Sequence, residues 1–205
     1  MKLVLASASP RRRELLDAIG LGFAVRPVDL DEVAVAGTLP PLEAATAVAT
    51  AKARATDGKP GTVVLAADTI VVLDERVIGK PADDATAREM LAALRGRAHT
   101  VVTAVTVHTP DSEWTAAIES GVRMRAYTDD EIDAYVADGG GRDKAGSYGI
   151  QDAPFLPVET IEGCYCNVMG LPLWTAYRLL REAGCTAPRR PGDVLARCAV
   201  CPMRG

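Results

Sequence analysis

Residues 2–16 leave the chain few ways to begin folding. Leu3, Val4, Leu5 and Ala6 form an unbroken apolar run, the pattern of a strand buried on both faces. Ser7, Ala8 and Ser9 interrupt it with small residues, and Pro10 opens a helical pattern. Ser9 is a good N-cap, and proline at the first helical position gives up no helical hydrogen bond. Leu15, Leu16 and Ile19 supply an apolar side, and Gly20 stops the helix. The unit is strand, small-residue turn, helix N-terminus, and the unpaired backbone N–H groups of such a turn attract anions. Arg11, Arg12 and Arg13 fall in the first helical turn, where cations oppose the helix dipole and repel one another. A solvated arginine face is the plain reading of this cluster. A multiply charged anion landing on the turn is the sharper one.

The rest of the chain alternates strand and helix patterns. Residues 23–28 read as a short strand that runs into Asp29, Asp31 and Glu32. A Gly/Pro-rich connection then leads to an alanine-rich helix over 42–55, bounded by Asp57 and Gly58 and carrying Lys52 in its last turns. Residues 62–73 form the longest apolar strand, with Asp68 in its middle. Asp74 and Glu75 turn the chain, and a brief return ends at Gly79-Lys80-Pro81. Asp83 or Asp84 caps a helix striped with Met90, Leu91 and Leu94. Strands follow over 99–108 and 114–126, then a helix over 129–137 opened by the Thr128/Glu131 capping box. Residues 142–151 read as a polar, glycine-bearing functional loop, 158–163 as a short strand, and 172–183 as a final amphipathic helix. This alternation predicts an α/β fold with a mixed sheet. One domain over 1–185 is expected, with a flexible tail over 186–205, where proline and arginine are frequent and periodicity stops.

A chain of 205 residues is long enough for a sizeable core. Its net charge of −4 provides no global basic field for nucleic acid or an anionic membrane, so any cationic site must be local. No apolar run is long enough to span a bilayer, and no signal peptide is read at the N-terminus. Five cysteines without a secreted framework point to a reduced cytoplasm. Cys198 and Cys201 form a C-x-x-C pair with no second such pair, and Cys164 and Cys166 lie far upstream. A four-cysteine zinc site is one reading; unstructured thiols or a private disulfide are the simpler one.

Three further stretches carry chemistry. Asp68 within an apolar strand costs several kcal/mol unless it is paired or holds a metal; capping a neighbouring loop is its bland alternative. Lys52 and Lys80 each read alone as a surface lysine, but Gly79 and Pro81 fix Lys80 in a tight loop. The stretch from Arg142 to Gln151 has glycines that allow close approach, and Gln151 offers an amide suited to the edge of a nucleobase. Asp68, with Glu32, offers hard oxygen ligands for Mg²⁺ or Mn²⁺.

Read together, these residues match a known pattern. Ala6-Ser7-Ala8-Ser9-Pro10-Arg11-Arg12, Lys52-Ala53, Ala67-Asp68-Thr69 and Gly79-Lys80-Pro81 occur in order, followed by His99 with Thr103, Asp143 to Gln151, and Asn167-Val168-Met169-Gly170-Leu171-Pro172. In these motifs the chain resembles the Maf family of nucleoside triphosphate pyrophosphatases, also called septum formation proteins. The resemblance covers roughly residues 2–183. It implies an elongated twisted mixed sheet, shared with inosine triphosphate pyrophosphatases, with two lobes around a central cleft. It implies hydrolysis of a nucleoside triphosphate to a monophosphate and pyrophosphate, dependent on a divalent cation, with Asp68 activating water. It places Arg11, Thr69 and Gln151 at the specificity positions of the dTTP/UTP branch. Strand alternation, however, turns Thr69 to the face opposite Asp68. Ser7, Ser9, Arg12, Lys52 and Lys80 are the expected phosphate contacts. The expected partner is a small-molecule nucleoside triphosphate, with no nucleic acid and no membrane, and a homodimer is left open. A non-catalytic nucleotide-binding regulator of septum formation is the alternative function.

Overall fold

A computed structural model describes residues 1–56 and 60–204. The Asp57-Gly58 stop expected for the alanine-rich helix lies outside the described residues. The chain begins with β1 (Lys2–Leu5), α1 (Pro10–Ala18), β2 (Phe23–Val25), α2 (Glu32–Ala36) and α3 (Pro41–Ala55). It continues through β3 (Thr62–Leu73), β4 (Arg76–Ile78), α4 (Asp84–Leu94), β5 (Ala98–His108), β6 (Glu113–Met124) and α5 (Asp129–Ala137). It ends with β7 (Val158–Glu162), α6 (Tyr165–Val168), α7 (Leu173–Glu182), α8 (Pro191–Val194) and α9 (Ala196–Ala199). The local start signals behave as their chemistry requires. Ser9 caps α1 through the Arg12 N–H, Asp83 caps α4, and Thr128 and Glu131 close a capping box on α5. The short helices α2 and α6 have no apolar period to announce them.

The strands form one seven-stranded mixed sheet in the order β2-β1-β3-β5-β6-β7, with β4 also paired to β3. β1 runs parallel to β2 and β3, and the other pairings are antiparallel. β3 lies in the middle and is buried along most of its length, so its apolar residues are continuous rather than alternating.

Two large apolar clusters share one face of the long strands. Val63, Leu65, Ala67, Val105 and Val107 pack with Leu15, Leu16 and Ile19 of α1 and with α7. Val71, Leu73 and Val101 pack with α4 and α5 at the other end. Between them, on the same face, stand the paired residues Thr69 and Thr103. The opposite face carries α3: Ala53 lies with Val64 and Ala66, and Ala45 and Ala49 with Val102 and Ala104. Asp68 belongs to that second face, in the interval between those two smaller clusters.

The edge of β3 explains what fills these polar intervals. Its pairing with β1 ends at Leu65, and β4 joins the same edge only at Val71. Between those positions the edge is paired with neither strand. A strand that is open there can offer both of its faces to one space.

The C-terminal stretch, expected from sequence to be a flexible tail, carries short helical turns. Residues 191–204 form α8, α9 and a short 3-10 turn. Cys198 and Cys201 are buried in the larger cluster, with Val194, Leu195 and Met203 packed against it. Trp174 Nε1 donates to the Cys198 carbonyl at 2.9 Å, and the Arg189 N–H donates to the Ile19 carbonyl at 3.2 Å. The segment packs through turns of about one helical repeat each, so no 3.6-residue period exists for a sequence pattern to detect.

Candidate functional site

A cleft of about 440 Å³ opens at the unpaired edge of β3. The turn after β1 lines it with Ser7, Ser9, Arg11 and Arg12, and Glu32, Lys52, Asp68, Thr69 and Lys80 reach it from four other segments. The structure therefore gathers every expected site residue except Gln151. That side chain is exposed and lies against the Tyr165 hydroxyl, while its neighbours Gly149 and Ile150 line the wall.

Asp68 and Thr69 do point to opposite faces of β3, as alternation requires. Both line the cleft because it straddles the open edge. On the α3 side, Lys52 Nζ lies 2.7 Å from Asp68 Oδ1 and 2.7 Å from Glu32 Oε1. A single buried ammonium thus bridges two carboxylates, and each uses one oxygen for it. This answers the desolvation cost that a lone Asp68 would carry. Burial pushes the Glu32 carboxyl up, but Lys52, Lys80 and Arg12 together hold it below the usual carboxylate range. Glu32 arrives here because Asp31 caps α2 by accepting from the Ala34 N–H.

Arg12 occupies the other face. Its Nε donates to the Gly170 carbonyl at 2.8 Å, Nη1 to Ser7 Oγ at 3.1 Å, and Nη2 to Thr69 Oγ1 at 2.9 Å. Thr69 Oγ1 also shares a hydrogen bond of 3.0 Å with Thr103 Oγ1, which in turn donates to the Asn167 carbonyl. These acceptors are all uncharged, and they engage three of the five guanidinium N–H groups. A positive charge is thereby fixed in direction without a carboxylate in contact. Burial lowers the Arg12 pKa from its ordinary value, and the fields of Asp68 and Glu32 oppose that shift. Gly170 is required where it stands. Its φ is +107°, a conformation that residues with a Cβ rarely adopt, whereas in space a Cβ there would be in ordinary contact, 3.4 Å from Thr69 Oγ1 and 3.5 Å from Arg12 Nε.

Another part of the lining comes from the 142–151 loop. Arg11 Nη2 lies 3.8 Å from Asp143 Oδ2 across the cleft, and Lys144 is paired with Asp143 at 2.8 Å and Asp152 at 3.2 Å. Tyr148, also in the wall, is joined to His99 Nε2 by a hydrogen bond of 2.7 Å. Residue-by-residue reading of the sequence did not single out Asp143, Lys144 or Tyr148 for a role here. Tyr148 sits between Ser147 and Gly149, so no periodicity reveals which way it points.

His99 supplies a measurable consequence. It is 6% exposed, and burial pushes its pKa down from 6.5 to about 4. Between these values the unfolded chain takes up a proton that the folded chain does not, so stability falls as pH drops from about 6.5 to about 4. The expected loss is about 3 kcal/mol at the bottom of that window. Chemical denaturation of the wild type and His99→Gln across this range checks it. The variant should lose correspondingly less stability, because glutamine keeps a hydrogen-bonding group near Tyr148 and takes up no proton.

Among the described residues, no group of three or more histidine, cysteine, aspartate or glutamate side chains is arranged to hold a metal ion. Nor is any helix long and apolar enough to cross a membrane among them.

Comparison with known proteins agrees with the geometry. A family model described as Maf-like protein matches residues 2–183. A protein of Moorella thermoacetica named dTTP/UTP pyrophosphatase is 51% identical over 186 residues, which cover 89% of this chain and 95% of that protein. One of the same name from Thermomicrobium roseum is 47% identical over 185 residues, covering 90% of this chain and 85% of the relative. Among solved structures, a HAM1 protein from Coxiella burnetii superposes with a TM-score of 0.50 at 17% identity, covering 89% of this chain and 99% of that one. At that identity the likeness speaks for the fold alone, and it is the expected α/β fold.

Proposed function

The chain belongs to the Maf-like protein family, and from that premise we propose that it hydrolyses dTTP and UTP to the monophosphate and pyrophosphate. The observation that carries this reading is the pair of opposed charge systems in one cleft. Asp68 and Glu32 share Lys52 on one face of β3, while Arg12 is held by uncharged partners on the other. A triphosphate needs directed cations, and its hydrolysis needs a carboxylate beside the scissile anhydride. The names carried by the relatives supply the choice of nucleotide.

In this reading Arg12, Ser7, Lys52 and Lys80 bind the phosphates, with Ser9 holding the turn through its cap on α1. Asp68 takes a proton from the attacking water as oxygen bonds to the α-phosphorus and pyrophosphate leaves. Lys52 orients Asp68 and Glu32 toward one another. The donor set is in keeping with a divalent cation, because Asp68 and Glu32 offer hard oxygens and each uses only one on Lys52; they would hold Mg²⁺ or Mn²⁺ with the substrate's phosphates completing the set. When bound, such an ion neutralises charge on the phosphates and lowers the pKa of a coordinated water. Arg11 and Gln151 are assigned to the base, Gln151 by leaving Tyr165 for the cleft wall beside Ile150. Thr69 contributes to specificity by fixing Arg12. The reduced cytoplasm is the proposed setting.

A panel of purified nucleotides tests the assignment, with pyrophosphate and orthophosphate resolved. The expected result is pyrophosphate release, with kcat/KM for dTTP and UTP well above that for ATP and GTP. A site that hydrogen-bonds one base edge leaves its own polar groups unpaired on another. Comparable values for all four sink the pyrimidine assignment. Tight nucleotide binding with no pyrophosphate released would instead make the protein a non-catalytic regulator.

A further inference from the structure

Four cysteines far apart in sequence meet beside the cleft. Cys164 immediately precedes α6 and Cys166 lies within it, while Cys198 is in α9 and Cys201 follows that helix. All four are buried. They fall into two pairs: Cys166 Sγ and Cys198 Sγ are 3.3 Å apart, and Cys201 lies near Cys164. They do not form one set of metal ligands, as no such group is present among the described residues.

We propose that Cys166 and Cys198 form a reversible disulfide that fastens the C-terminal segment to α6. The sulfurs need to approach by only about 1.3 Å to reach a bonded separation of about 2.05 Å. The co-reactant is a small-molecule disulfide of the glutathione type. The Cys198 thiolate attacks one of its sulfurs, forming a mixed disulfide and expelling one thiolate. Cys166 then gives up its proton to solvent and attacks the Cys198 sulfur, expelling the second. Two protein thiols are oxidised, two protons are lost, and the oxidant is reduced to two thiols. Cys198 reacts first because it lies on the terminal segment, in α9, whereas Cys166 is held within α6. Cys166 is 2% exposed and Cys198 1%. The oxidant therefore reaches Cys198 when the segment carrying α8 and α9 lifts, and Cys166 resolves the mixed disulfide as it returns.

The position of the bond gives it a consequence for the cleft. α6 ends at Val168 and continues into Met169 and Gly170; all three line the cleft, and the Gly170 carbonyl holds Arg12. Closing the disulfide ties the last segment of the chain to the turn that positions this arginine. This inference stands on the thiols and does not depend on which nucleotide the cleft accepts.

The full-length protein is incubated with oxidised glutathione, alkylated, digested without reductant and analysed by mass spectrometry. The expected result is one dominant cross-linked peptide joining Cys166 to Cys198, abolished by dithiothreitol. The oxidised protein should melt on the order of 5–10 °C above the reduced one, since a cross-link spanning about 30 residues restricts the unfolded chain. Cys166→Ser and Cys198→Ser should each remove both the cross-link and the shift. Full alkylation of all four thiols, a dominant link between any other pair, or stoichiometric zinc held by these thiols in the purified protein overturns the proposal.

Discussion

Asp68→Asn is expected to lower turnover by at least ~100-fold, the scale on which a positioned proton acceptor contributes, while the protein still folds. The second half of that expectation comes from Lys52. Its ammonium also lies 2.7 Å from Glu32 Oε1, so removing the charge of Asp68 does not strand a buried cation. Asparagine keeps the shape and an oxygen able to accept from Lys52. It cannot take a proton from water, and it is a poor ligand for a divalent ion. Pyrophosphate release and a thermal melt on the same preparation check the two halves separately. Near-normal turnover in a folded variant removes Asp68 from the mechanism. A collapse of the melt would make the Asp68–Lys52 pair structural first.

Arg12→Ala is the second large effect. The guanidinium is aimed by Gly170, Ser7 and Thr69, so its loss removes a charge already fixed in place. The expected cost is about 2–4 kcal/mol of transition-state stabilisation, roughly 30- to 1000-fold in kcat/KM. Two of the three acceptors left behind keep a partner, and only the Gly170 carbonyl loses the donor it has here. Thr69 keeps Thr103, and Ser7 keeps the Ser9 N–H. Arg12→Lys should recover little, because one ammonium does not reproduce three fixed directions. The loss should be similar for every nucleotide, since phosphates carry no base identity. A defect confined to one base would assign Arg12 to recognition of that base.

The local elements were legible where their chemistry is local. The Ser9-Pro10 start of α1, the Thr128/Glu131 capping box and the long apolar run of β3 all needed only neighbours a few residues away. Asp68 stood out for the same reason, as a charge in an apolar strand. The helices α2 and α6 were missed because a helix of one turn has no period. Residues 186–204 were read as a tail on the same criterion, yet they cover Trp174 and bury Cys198. Gln151 had the right chemistry for a base edge, but the path of the loop puts its side chain beside Tyr165.

Residue type and order alone marked out the strand–turn–helix unit with its arginines, the carboxylate in an apolar strand, the two lysines and the α/β alternation, because each is a property of a short stretch. Only the folded sheet decided how they combine. Alternation along β3 separates Asp68 from Thr69, and nothing within the strand reverses that. The two meet one cleft because β1 ends at Leu65 and β4 starts at Val71, leaving an open edge between them. That gap is a property of three strands at once. The capture of Arg12 by Gly170 likewise joins positions 158 residues apart, a separation that no local pattern spans.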